Sequence, residues 1–183
     1  MKNTFRFGAI IGLSIFLVAM AAAAPAPPGD VRVEIREIEP FPYCSIRHQG
    51  PYTDMGTVIN ELMSLMQSQN IYPAGNMITI YHTDPQQENP MDSEWEVGFP
   101  VTSQVTVVQE PLLKKEWTAA TVAAALHKGP YENTGDTIDA MYDWMEENGY
   151  EQDGPVLGQY LNMPGQVSPD RLETEIWIPC RKK

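Results

Sequence analysis

The residues of this chain best suited to chemistry are carboxylates spaced two apart in strand-like segments. Glu94 and Glu96 form one such pair and Glu173 and Glu175 the other, each ahead of a proline, Pro100 or Pro179. Residues two apart on a strand share a face. Glu173, Glu175, Trp177 and Pro179 therefore point one way, and Thr174, Ile176 and Ile178 the other. In the earlier segment Glu94, Glu96 and Gly98 share a face, against Trp95, Val97 and Phe99. Acids in this pattern form either a solvated face or a site. As a site, a partly buried carboxylate among aromatics draws an amphipathic cation by charge, ring contact and apolar burial together. Trp177 adjoins Glu175, while Gly98 holds the equivalent place in the earlier segment. An indole facing a missing side chain predicts a one-sided pocket; the other use for Trp177 is to fill a gap in the core. Tyr52, Tyr81, Tyr131 and Tyr160 are candidates both for ligand contact and for structural positions.

Stronger catalytic signatures do not occur. There is no Gly-rich phosphate loop, Gly-x-Ser-x-Gly elbow, His-Glu-x-x-His or Cys-x-x-Cys. Three histidines far apart make a poor metal set, so no metal ligand, catalytic residue or cofactor is assigned. His48 and His127 are expected to serve the turns that follow them. Cys44 and Cys180 each lie in a strand-like segment. They form either one disulfide of an oxidising compartment or two separate buried thiols.

The elements that must position these residues come from an internal repeat. An ungapped shift of 79 residues lays His48-Gln49-Gly50-Pro51-Tyr52 on His127-Lys128-Gly129-Pro130-Tyr131. The same shift lays Ile59 on Ile138, Met66 on Met145, Tyr81 on Tyr160, Pro85 on Pro164 and Glu96 on Glu175. Each copy reads as strand, helix, strand, strand. Val31 to Arg47 alternates apolar and polar residues, with Pro40 and Pro42 marking a bend or an edge. Val58, Ile59, Leu62, Met63, Leu65 and Met66 make one apolar helical face after Asp54, a suitable N-cap. Ile138, Met141, Tyr142 and Met145 do so in the second copy. The expectation is an α+β domain over 34–183, with repeat one at 34–101 and repeat two at 113–180. Helices are expected at about 55–69 and 134–148. A pseudo-twofold axis would relate the copies in one antiparallel sheet, both helices on one face and a cleft between them.

Lys2, Arg6 and the apolar run Phe7 to Ala24 read as a secretory signal peptide over 1–24, followed by a proline-rich linker over 25–33. The expected location is periplasmic or secreted, with no stable membrane insertion after cleavage. Removing Lys2 and Arg6 from 12 basic residues leaves 10 against 24 acidic ones, a net charge of about −14. Such a surface repels nucleic acid, which is excluded as a partner.

The strands running into His-x-Gly-Pro-Tyr, the amphipathic helices, Gln159-Tyr160-Leu161-Asn162 and the closing Glu175-Ile176-Trp177-Ile178-Pro179 resemble the GyrI-like small-molecule-binding domain. That domain also serves as the effector-binding half of some AraC-type and MerR-type regulators. The resemblance runs from about Val33 to Cys180, without any DNA-reading element. It implies two repeats forming one sheet with two helices, and a small-molecule partner. It also places Glu175, at the family's acidic position, in the pocket, with Trp177, Glu96, Tyr52, Tyr131, Tyr160 and Tyr81 as further ligand-binding residues. The first function implied is non-catalytic binding of amphipathic or aromatic, including cationic, molecules. A second is hydrolysis of strained small molecules, with Glu175 and Tyr131 or Tyr160 as acid or base. A third, by analogy with the SOUL fold, is haem or tetrapyrrole carriage.

Overall fold

The structure, a computed structural model, describes residues 31–83 and 89–183. The leader at 1–24, most of the linker and Pro85 lie outside the described residues. Along the chain run β1 (Glu34–Glu37), β2 (Phe41–Gln49), α1 (Met55–Ser68), β3 (Ile78–Tyr81), β4 (Glu94–Pro100) and β5 (Leu113–Trp117). They are followed by β6 (Thr121–Lys128), α2 (Thr134–Glu147), β7 (Tyr150–Gln152), β8 (Val156–Tyr160) and β9 (Glu173–Lys182). The strands pair antiparallel in the order β1-β6-β9-β8-β3-β4-β2-β5, with β7 added beside β9. This is an α+β domain with a nine-stranded sheet and two helices.

The segment expected as one bent strand from Val31 to Arg47 is two strands with different partners. Chain direction changes between Glu37 and Phe41, where Pro40 lacks an N–H to continue a ladder. β1 then lies against β6, pairing Glu34 with Ala124 and Glu37 with Thr121. β5, which no alternation signalled, lies against β2, pairing Leu113 with Ser45 and Glu116 with Pro42. Each half thus hands its first strand to the edge of the other half. The two registers differ by the same 79 residues that relate the halves in sequence, as do those of β2 with β4 and β6 with β9.

The helices start as the turn before them dictates. Gly50 and Gly129 sit at φ +142° and +128°, backbone that L side chains rarely adopt, and end β2 and β6. Pro51 and Pro130 follow, and short 3-10 turns at Tyr52–Asp54 and Tyr131–Asn133 lead into α1 and α2. Asp54 makes no side-chain cap, contrary to expectation, because its carboxylate lies 3.0 Å from His48 Nε2. His127 holds the second turn through Thr137 Oγ1 at 2.8 Å and the Pro130 carbonyl at 3.1 Å. The helices end one residue earlier than predicted; of the expected stripes they bury Val58, Leu62 and Met66 in α1 and Ile138, Met141 and Met145 in α2, while Met63 is exposed.

Two apolar clusters join these helices to one face of the sheet. One gathers Cys44, Ile46, Trp95, Val97 and Tyr160 around α1; the other gathers Ala123, Ala125, Ile176, Ile178 and Cys180 around α2. Cys44 and Cys180 therefore sit as free, buried thiols in different clusters. A third cluster occupies the opposite face: Tyr43, Ile78, Ile80, Trp117, Val122, Ala124, Leu157 and Trp177, with Phe41 packed on it. Phe41 on β2 and Trp177 on β9 are separated by three strands, β4, β3 and β8. In a flat sheet they would stand about 19 Å apart, yet their rings are 6.4 Å apart. The sheet therefore curls until this face closes on itself, and the helices cover the outside.

Candidate functional site

The four tyrosines converge where the halves meet on the helix side. Tyr81 ends β3 and Tyr160 ends β8, the antiparallel pair at the centre of the sheet. Their hydroxyls lie 3.4 Å apart, and Thr79 Oγ1 lies 3.1 Å from Tyr160 Oη. Tyr52 meets Tyr81 edge-on at 5.6 Å, and Tyr131 meets Tyr160 edge-on at 4.9 Å, both with planes 72° apart. Tyr131 donates to the Asn162 carbonyl at 3.0 Å, which fixes its ring. Above them opens a cavity of about 500 Å³, walled by these rings, Met55, and residues 132–136 of the 3-10 turn and the start of α2. That size lies within the ordinary range for a small-molecule pocket.

The cavity is polar only at the hydroxyls and the rim. Burial, and then the neighbouring Tyr160, push Tyr81 well above the ordinary phenol range. The same two causes push Tyr131 up to about 12. Both are neutral donors or acceptors at physiological pH and neither supplies a phenolate base. The carboxylates on the wall, Glu132 and Asp136, are exposed at its rim. Among the described residues lining it there is no histidine or cysteine, and no group of described side chains could hold a metal ion.

Glu96, Glu175 and Trp177 do not share this cavity. Strand alternation turns all three to the curled inner face, opposite Tyr160. Glu175 accepts from Arg36 Nη1 at 2.6 Å and from Trp177 Nε1 at 3.0 Å. Trp177 itself packs in the inner cluster against Phe41. Glu96 is fully buried, paired with Lys115, with Ser45 Oγ at 2.8 Å and with His82 Nε2 at 2.8 Å. Burial is the largest single influence and pushes its carboxyl up, but Lys115, Ser45 and His82 outweigh it and leave the group below the usual range. Arg36 and Lys115 come from the exchanged strands β1 and β5, so each acid is neutralised by the half it does not belong to. The expectation that Gly98 leaves room opposite Trp177 is also corrected. A Cβ at Gly98 would stand 2.5 Å from the Cys44 carbonyl, so the glycine permits close strand contact.

Met55 and Thr79 stand in no motif of the sequence. Thr79 carried a usable signal, because it aligns with Gly158 beside the tyrosine of each half.

Residues 32–181 match the family described as GyrI-like small molecule binding domain. The fold is similar to the crystal structure of the EcmrR C-terminal domain, at 19% identity and TM-score 0.75, covering 85% of this chain and 100% of that one. It is similar to an uncharacterized conserved protein from Listeria innocua, at 12% identity and TM-score 0.67, covering 82% and 92%. A hydrolase from Listeria innocua is also similar, at 12% identity and TM-score 0.65, covering 82% and 92%. No curated protein matches the sequence.

Proposed function

The chain belongs to the GyrI-like small molecule binding domain family, and on that premise we propose that it captures aromatic or amphipathic small molecules, without turning them over, in the cavity between its halves. One observation carries this: four tyrosines from both halves, Tyr52, Tyr81, Tyr131 and Tyr160, meet at a cavity large enough for such a molecule. Aromatic walls stabilise a flat guest by burying its area and by ring contact, the latter about 0.5–1.5 kcal/mol per pair. A cationic guest gains against the ring faces as well, with a screened contribution from Glu132 and Asp136 at the rim. Hydrolysis by a glutamate–tyrosine pair is not part of the proposal, since Glu96 and Glu175 are held on the inner face in ion pairs.

A thermal-shift screen of aromatic compounds against the wild type, followed by titration of the hits into Tyr131→Ala and Tyr52→Ala, tests this. Affinity is expected to fall about tenfold or more in each folded variant. Hits that bind both variants as tightly as the wild type place the site elsewhere. We place the site outside the cytoplasm, on the leader-like residues 1–24. Exported protein is expected to begin near residue 25, and exported material starting at Met1 would contradict this.

A further inference from the structure

The floor of the cavity is not symmetrical. Tyr81 corresponds to Tyr160 across the 79-residue shift, but Thr79 corresponds to Gly158. Thr79 is fully buried and places its hydroxyl 3.1 Å from Tyr160 Oη. Gly158 offers Tyr81 nothing comparable. A Cβ there would stand 3.8 Å from Tyr81 Oη, and 3.6 Å from both Tyr81 Cε2 and Thr174 Cγ2. The position has room for a small side chain and holds none. Among the described residues, the one hydrogen bond of Tyr81 Oη is the long 3.4 Å contact to Tyr160.

Thr79, Tyr160 and Tyr81 thus form a chain of three hydroxyls, and either oxygen of each link can be the donor. Run from Thr79 outward, the chain leaves Tyr81 with a proton to give. Run inward, it leaves Tyr81 with a lone pair to accept one. Tyr160 is used on both sides within the chain, whereas Tyr81 ends it at the cavity wall. No carboxylate faces this point from below, because Glu96 and Glu175 are on the other side of the sheet, and Glu132 and Asp136 are exposed at the rim. A charged group pushed down to Tyr81 would lose its water without gaining a counter-charge; a neutral polar group would gain a partner.

We propose that Tyr81, and not its counterpart Tyr160, is the polar anchor of the cavity, and that it selects flat aromatic molecules carrying one neutral hydroxyl or carbonyl group. Because the hydroxyl chain runs in either direction, donors and acceptors are both served. This rests on the cavity being the ligand site, and the test separates the two claims.

Binding of 1-naphthol (donor and acceptor), 1-acetonaphthone (acceptor) and naphthalene (neither) is measured on the wild type, Tyr81→Phe, Tyr160→Phe, Gly158→Ser and Gly158→Ala. The wild type is expected to favour the two polar probes over naphthalene about tenfold. Tyr81→Phe abolishes that preference and leaves naphthalene within about twofold, whereas Tyr160→Phe keeps it. Gly158→Ser supplies the hydroxyl that Tyr81 lacks and reduces the preference with the phenol intact; Gly158→Ala does not. A preference that survives Tyr81→Phe, or that Tyr160→Phe removes, overturns the anchor while leaving the cavity standing. If naphthalene binds Tyr52→Ala and Tyr131→Ala as it binds the wild type, or no probe binds the wild type, the cavity itself falls and the anchor with it.

Discussion

The two faces of the sheet carry the same kinds of residues to opposite ends. On the outer face, tyrosines of both halves stand around a cavity, and the chain of hydroxyls beneath it ends at Tyr81. On the inner face, an acid from each half lies close to buried aromatics, and the carboxylates of Glu96 and Glu175 are both spent on neighbours. What separates them is the exchange of β1 and β5, which brings Arg36 to Glu175 and Lys115 to Glu96. A carboxylate beside a tryptophan is a ligand site only where topology has not already supplied its cation.

The largest effect expected from breaking that contrast is at Glu96. Glu96→Ala removes a fully buried charge and strands Lys115, so urea unfolding should show a loss of about 3 kcal/mol. Ligand affinity of the folded fraction should hold. A stable variant that no longer binds would return the acid to the functional site. Next is Gly98→Ala, whose added carbon meets the Cys44 carbonyl at 2.5 Å and should cost about 1–3 kcal/mol. Gly158→Ala, where the contacts are 3.6 Å or longer, should change stability by less than about 0.5 kcal/mol. Equal costs at the two glycines would mean that crowding does not distinguish the faces.

The smallest effects are those of pH, and they fall on opposite sides of neutrality. The folded pKa of Glu96 lies below its ordinary 4.5. Its contribution to stability is therefore complete above that value and lost as pH falls through the folded pKa. Tyr131 moves the other way, from 10 up to about 12. The unfolded chain releases that proton first, so stability declines as pH rises from 10 to 12. Between pH 6 and 9 ligand affinity should be flat by titration calorimetry. A step within that range would show a group titrating in the cavity that its walls do not contain.

The tyrosines were legible because all four recur at one offset, and the helices because their buried stripes keep a helical period. Alternation also told correctly that Glu175 and Trp177 share a face. It could not tell which face the helices cover, since a period of two is the same viewed from either side. The partners of Glu96 and Glu175 were hidden for a related reason. Arg36 lies 139 residues from Glu175 in sequence, and no local pattern marks a strand that pairs with the other half. Gly98 misled because a missing side chain reads alike whether it makes space or permits contact.

The exchanged edge strands also decide what can fold alone. Residues 34–101 include β1, but β1 finds its ladder only on β6, and the side of β2 turned away from β4 is covered only by β5. A fragment ending in the 101–112 connection would expose two bare sheet edges, on β2 and on β3, and carry one orphan strand. Two such fragments, mixed, should recover the native fold by mutual donation, and two copies of one fragment offer each other the same docking places as a dimer. The intact chain should accordingly melt in a single cooperative step, with no temperature at which one half stands folded beside the other.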